Sequence, residues 1–229
     1  MSDQPMFVSL LALIVVYYIT CLCYNLYEAM MFDIVGKIDI PDRAVICFYP
    51  HTSCFDAIAV AMIIRRHNIV ALPLVKAIHR IPVRLAMYMC GDFEAKMIEI
   101  PTDSGTNDSA TNVACPGQMS VSMNVADTLK SLDANKPCRI LLSPEGTRSF
   151  APNMTSGFIG IARQLNCPIV FLSLDYRTRT AVCSKPVPAD NFKQVMDQFR
   201  LCCSKSFGKY PDAACPILLK MEEYAIYAI

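Results

Sequence analysis

The chain has 229 residues, a formal net charge of +1, and a composition that is 54% hydrophobic and only 18% charged. This length suits one globular domain with a sizeable core, with or without an added anchor. The near-neutral charge excludes the broad basic surface of a nucleic-acid-binding protein, so no nucleic acid partner is expected. Ordinary soluble domains carry about 25% charged residues, so this composition predicts that part of the surface contacts lipid.

The first predicted element is an apolar segment, because residues 6–24 contain no charged side chain. Its length is close to the ~20 residues with which a helix crosses a bilayer. Tyrosines toward its carboxyl-terminal end suit a headgroup interface. We therefore predict that residues 1–33 form a membrane anchor, either single-pass or monotopic, and that residues 34–229 form the folded domain. A buried core helix is the alternative.

Strands and helices alternate along the rest of the chain. Strands are predicted at residues 44–49, 69–74, 97–100, 138–142 and 168–174. Helices are predicted at residues 56–66, 82–89, 119–132, 157–165 and 191–203, with a long polar loop at 102–117. Continuous apolar strands of this kind are buried on both faces. The pattern predicts an α/β fold with a mixed, mostly parallel central sheet covered by helices, preceded by an N-terminal membrane-anchoring helix.

The twelve cysteines are interpreted as reduced, small hydrophobic side chains. The chain is too long and too apolar for a disulfide-stapled domain. It has no Cys-x2-Cys pair, and its histidines at 51, 67 and 79 lack the spacing of metal ligands. No metal or other cofactor is therefore expected, and reduced thiols suit a domain that faces the cytosol.

The loop after the first predicted strand contains a candidate catalytic pair, His51 and Asp56. The imidazole can take a proton from a hydroxyl group, and the carboxylate can hold the other ring nitrogen. No Gly-x-Ser-x-Gly nucleophile accompanies the pair, so the substrate itself is predicted to supply the nucleophilic hydroxyl. A spacing of this kind also occurs by chance, so its meaning depends on the rest of the chain.

The loop after the fourth predicted strand, at residues 142–149, contains a candidate anion site. Gly146 permits a close approach of backbone N–H groups, Thr147 can donate a hydroxyl, and Arg148 has a planar fork suited to phosphate. Glu145 cannot bind an anion, and we expect it to hold Arg148 or the loop. Because reactive groups gather at the carboxyl ends of parallel strands, both loops are predicted to form one site. A solvated turn with a salt bridge is the alternative.

Together the two loops resemble the motifs of the glycerolipid acyltransferase family, which acylates glycerol-3-phosphate and lysophosphatidic acid. His51 and Asp56 match its His-x4-Asp motif, and residues 144–149 match its Pro-Glu-Gly-Thr-Arg-Ser motif. Residues 156–162 are similar to its Gly-Phe-x-x-Ile-Ala helix, and residues 168–172 to its proline-led strand. The forms Pro-His-Thr-Ser and Leu-Asp-Tyr (174–176) resemble a mostly bacterial branch. The resemblance extends over about residues 45–187.

The sequence departs from the family at the family's second motif. It usually contains an arginine that helps to hold the acceptor, but residues 91–103 here end without one. Lys76 and Arg80 lie upstream and are the expected substitutes, and Lys76 matches a lysine that the family often has. Arg84 is a further candidate. For Arg80 and Arg84, a solvated helix face is the alternative.

The resemblance implies an O-acyltransferase that needs no metal. His51 would deprotonate the acceptor hydroxyl, which would attack the thioester of an acyl-CoA or an acyl carrier protein, while Arg148 and Lys76 would bind the acceptor phosphate. The expected reaction converts 1-acylglycerol-3-phosphate into phosphatidic acid. Acylation of another lysophospholipid or lipid acceptor, or a non-catalytic membrane lipid-binding role in the same fold, are the alternatives. The implied setting is a membrane whose cytosolic side holds the catalytic domain, and no oligomeric state is predicted.

Overall fold

The computed structural model describes residues 13–24, 32–76, 98–100 and 136–217. In this part of the chain the centre is a seven-stranded sheet with the order β1-β7-β6-β2-β5-β3-β4. The strands are β1 (Asp33–Val35), β2 (Arg43–Tyr49), β3 (Leu72–Lys76), β4 (Ile98–Ile100), β5 (Cys138–Leu142), β6 (Ile169–Asp175) and β7 (Thr180–Cys183). The long apolar strands β2 and β6 pair directly at the centre of the sheet.

Parallel pairing dominates this sheet. β2 runs parallel to both β5 and β6, β3 runs parallel to β5 and β4, and β1 runs parallel to β7. Among the described strands, only β6 and β7 pair antiparallel. The prediction of a mixed, mostly parallel α/β sheet is confirmed. Strands β3, β5, β2 and β6 therefore end on one side of the sheet, which we call the carboxyl edge.

Helices cover both faces of the sheet. The described helices are α1 (residues 13–24), α2 (Cys54–Arg66), α3 (Gly157–Gln164) and α4 (Phe192–Cys203), with a 3₁₀ turn at Pro211–Ala213. Side chains alternate along β2, so that Ile46 lies in the core beneath α2 and Cys47 lies in the core beneath α3 and α4. Because both faces are buried, the strands are apolar throughout instead of alternating with polar residues.

The largest boundary difference concerns β3. The strand predicted at 69–74 starts three residues before β3 does. The reason is that the Ile69 N–H group donates to the Ile64 carbonyl and so completes the end of α2. Asn68 lies in the left-handed region with φ 56°, and Val70 is exposed. Strands β1 and β7 were not predicted. The predicted helices at 82–89 and 119–132 and the loop at 102–117 lie outside the described residues.

The predicted anchor is described only in part. Residues 13–24 are helical, and the large apolar side chains among them are exposed, which argues against the alternative of a buried core helix. The rest of residues 1–31 lies outside the described part. Of the helices that the structure describes, none combines the length and the apolar character needed to cross a membrane.

Candidate functional site

The loop that follows β2 leads directly into α2. Ser53 is the N-cap of this helix, and its hydroxyl accepts the Phe55 N–H group at 3.2 Å. Asp56, in the first turn, accepts the N–H groups of Thr52 and Ser53 on Oδ2, both at 2.6 Å. A Ser-x-x-Asp capping box therefore gives the loop a single conformation and satisfies amide groups that the helix leaves open.

His51 lies beside this carboxylate. Its Nδ1 atom is 3.5 Å from Asp56 Oδ2, and the His51 side chain is 20% exposed whereas that of Asp56 is fully buried. Nδ1 is buried and has no hydrogen-bond partner among the described atoms, so Asp56 is the polar group it faces. The other ring nitrogen, Nε2, makes no hydrogen bond within the described chain, and it is not buried as Nδ1 is. Nε2 is therefore the accessible nitrogen. The Phe48 ring packs edge-on against the imidazole at 5.1 Å.

Tyr176 is a further member of the site. Its hydroxyl donates to Asp56 Oδ1 at 2.5 Å, so both carboxylate oxygens of Asp56 are held. Its ring packs edge-on against the buried Phe32 at 4.9 Å. In the sequence, Tyr176 is recognised only as part of the Leu-Asp-Tyr form at 174–176. Its position directly after β6, the neighbour of β2, was the signal that could have identified it.

Glu145 joins the two loops. One of its oxygens accepts the His51 N–H group at 2.5 Å, and the other accepts the Cys215 N–H group at 3.0 Å. Burial raises the pKa of the Glu145 carboxyl, while these backbone hydrogen bonds act to lower it. Glu145 was expected to hold either Arg148 or the loop, and its described contacts hold the loop. No contact between Glu145 and Arg148 is found among them.

The remaining loop residues differ in exposure. Gly146 has φ +65°, a left-handed conformation that favours glycine. The Thr147 hydroxyl accepts the Ser149 N–H group at 3.2 Å, which leaves its own proton available to a ligand. Arg148 is exposed, and the described residues provide no ion-pair partner for its guanidinium. The loop therefore presents a cation to solvent beside the His51 loop.

The segment after α4 contacts both loops of the site. The backbone of Cys215 donates to Glu145 and accepts the Tyr49 hydroxyl at 2.8 Å. The Tyr210 N–H group donates to the Thr52 hydroxyl oxygen at 3.2 Å. Gly208 packs so tightly that an added Cβ would lie 2.8 Å from the Thr52 side chain. The sequence of this segment contains no recognisable motif, and its remainder at 218–229 lies outside the described residues.

The expected second phosphate ligands are only partly described. Lys76 is the last residue of β3, so its backbone reaches the carboxyl edge beside β5, but its side chain lies outside the described part. Arg80, Arg84 and most of the departing motif at 91–103 also lie outside it, and residues 98–100 form β4.

The arrangement has the chemistry of a general base. A histidine with one nitrogen beside a buried carboxylate and the other accessible can accept a proton from a hydroxyl. In the described part of the chain, no group of three or more His, Cys, Asp or Glu residues could hold a metal ion, and its ten cysteines are free thiols. Comparison of the chain with protein-family models, with curated proteins and with solved structures finds no match.

Proposed function

We propose that this protein is an O-acyltransferase that moves a fatty acyl group from acyl-CoA, or from an acyl carrier protein, to the hydroxyl of a lysophospholipid. The proposed acceptor is 1-acylglycerol-3-phosphate, which gives phosphatidic acid. The observation that carries the proposal is the pairing of His51 Nδ1 with the buried carboxylate of Asp56, 3.5 Å away, next to a loop with an exposed arginine.

His51 supplies the base in this proposal. Its accessible Nε2 takes the proton of the acceptor hydroxyl as the oxygen attacks the thioester carbonyl. Asp56 stabilises the imidazolium that forms, and the two N–H groups and the Tyr176 hydroxyl that bind the carboxylate keep it in place. The tetrahedral intermediate then releases the thiolate of coenzyme A or of the carrier protein, which takes the proton. The sequence contains no nucleophile elbow, so acyl transfer to the substrate hydroxyl is direct.

The acceptor phosphate binds the loop after β5. Arg148 contributes a planar guanidinium and Thr147 contributes a hydroxyl proton. Gly146 shapes the turn, with φ +65° and its N–H group donated to the Ser143 carbonyl at 3.2 Å. Glu145 holds the loop against the backbone of His51, so base and anion site stay in register. Lys76 and Arg80 are the proposed further cations. Lys76 is supported by the position of its backbone at the end of β3.

The proposed setting is a membrane. The apolar residues 6–24 anchor the chain, and the catalytic domain faces the cytosol, where thiols stay reduced. A lipid acceptor and an acyl thioester are the proposed partners, with no metal or other cofactor.

His51→Ala tests the proposal most directly. The variant and the wild type are incubated in membrane extracts with labelled acyl-CoA and a panel of lysophospholipids and other lipid acceptors. We expect loss of transfer by about 10²–10⁴-fold, the usual contribution of a general base. His67→Ala is the matched control, since His67 ends α2 through its backbone at the opposite end of the helix.

The outcomes separate the alternatives. Near-full transfer by His51→Ala, with thermal unfolding unchanged, would contradict the assignment of His51 as the base. Wild-type protein that binds lipid but transfers no acyl group to any acceptor would favour a non-catalytic lipid-binding role. The accepted lipid in the panel distinguishes phosphatidic acid synthesis from acylation of another lysophospholipid.

A further inference from the structure

Exposed aromatic rings lie around the loops that hold His51. Phe150 is 61% exposed and Tyr210 is 57% exposed. Phe150 follows the loop after β5, and the next residue, Ala151, donates its N–H group to Cys215 Sγ at 3.3 Å. Tyr210 is bonded through its N–H group to Thr52, beside His51. Both rings therefore lie on segments at the carboxyl edge of the sheet, although the two residues are distant in sequence.

Cationic side chains accompany these rings. Arg148 is exposed two residues before Phe150. Lys209, next to Tyr210, holds Nζ 5.2 Å from the centre of the Phe55 ring, on the first turn of α2. Asp212 is an exposed carboxylate on the same segment, while the carboxylates of the candidate site are buried. The charged side chains named beside the two rings are thus two cations, Arg148 and Lys209, and one exposed carboxylate, Asp212.

The apolar N-terminal helix connects to the domain at this same edge. β1 begins at Asp33, whose N–H group donates to the Arg179 carbonyl at 2.9 Å and which is in register with Thr180. Thr180 pairs with the last residue of β6, so the chain enters the sheet at the carboxyl edge. Eight residues separate residue 24 from Asp33, and a chain of eight residues spans at most about 28 Å. A bilayer that holds the helix is therefore within reach of the edge.

We propose that the carboxyl edge is a docking surface for a lipid bilayer with anionic headgroups. Phe150 and Tyr210 enter the headgroup boundary, where aromatic rings are favoured. Arg148 and Lys209 contact lipid phosphates, to which cations are attracted. The proposal depends on the membrane association included in the proposed function but not on acyl transfer. It gives the accessible nitrogen of His51 a lipid surface to face.

The chain contains no tryptophan, so a single introduced indole reports on one position. Phe150→Trp and Tyr210→Trp are compared in the full chain with Val70→Trp. Val70 is 69% exposed and lies beyond the far end of α2, whose 13 residues span about 20 Å. Fluorescence is recorded with vesicles of phosphatidylcholine and phosphatidylglycerol, with and without brominated acyl chains.

We expect the brominated chains to quench most of the emission from positions 150 and 210 and to leave position 70 unchanged. Arg148→Gln combined with Lys209→Gln should reduce the quenching at position 150 on anionic vesicles more than on purely zwitterionic ones. Co-sedimentation with vesicles but no preferential quenching at 150 and 210 would overturn the docking surface. Failure to co-sediment would overturn it together with the membrane association. Selective quenching in a protein that transfers no acyl group would support the surface while contradicting the proposed reaction.

Discussion

The loops after β2 and β5 end neighbouring parallel strands at the same edge, yet they are built differently. In the β2 loop the carboxylate of Asp56 is fully buried and is held by three donors, so the loop has one conformation around His51. The β5 loop is divided: Glu145 is buried against the His51 backbone, and Arg148 is exposed. In the proposed mechanism this difference has a use: the first loop holds the base in place, while the second joins the scaffold to the exposed cation that would bind the acceptor.

The largest effect on activity is expected from Asp56→Asn, which alters the buried carboxylate of the β2 loop. The amide keeps the shape of the side chain but loses the charge that stabilises an imidazolium, so kcat should fall by at least about 10²-fold. Its NH₂ group also faces buried donors, which should lower the free energy of unfolding by about 1–3 kcal/mol. Steady-state kinetics and chemical denaturation measure both. Asp212→Asn, at an exposed position, is the control and should leave both quantities unchanged.

Tyr176→Phe should have the next largest effect. The ring and its contact with Phe32 remain, but the hydrogen bond to Asp56 is lost, and bonds to charged groups contribute about 1.5–3 kcal/mol. We expect kcat to fall about tenfold while the KM values for both substrates stay constant. Tyr49→Phe removes a buried hydroxyl bonded to the Cys215 carbonyl instead. An equal loss of kcat in both variants would contradict the positioning role of Tyr176.

Glu145→Gln tests the link between the loops by its effect on the pH dependence of stability. Because the pKa of Glu145 is raised in the folded protein, the folded state binds a proton more tightly than the unfolded state. This carboxyl therefore contributes stability at low pH that is lost as pH rises through its raised pKa. The variant should lack this contribution when denaturation is followed upward from about pH 4, near the ordinary pKa of a glutamate. A pH dependence of stability identical to that of the wild type would show that Glu145 does not cause it.

Arg148→Ala should have the smallest effect on stability. The side chain is exposed, so the free energy of unfolding should change by less than about 0.5 kcal/mol. The acceptor KM should rise several-fold, because a phosphate contact is lost, while the KM for acyl-CoA stays constant. Arg200→Ala on α4, also exposed, is the matched control. An unchanged acceptor KM would remove Arg148 from phosphate binding.

Much of the central sheet could be predicted because its strands are uniformly apolar. The run at 138–142 coincides with β5, and the helix predicted at 191–203 coincides with α4 and its N-cap, Asn191. The predicted convergence of the two loops also follows the sheet order, since β2 and β5 are parallel neighbours. The short strands β1 and β7 were missed, since strands of three or four residues leave only a brief hydrophobic pattern, although the equally short β4 was predicted.

The sequence by itself determined the chemical groups of the candidate site and the strands that carry them, because both depend on local residue types and periodicity. Only the tertiary structure decided which groups support them. Tyr176 reaches Asp56 across 120 residues, and Cys215 reaches Glu145 across 70. Such contacts leave no local pattern, since they arise from sheet order and from the path of the chain after α4. The fixed orientation of His51 is therefore a property of the folded protein and not of its motif alone.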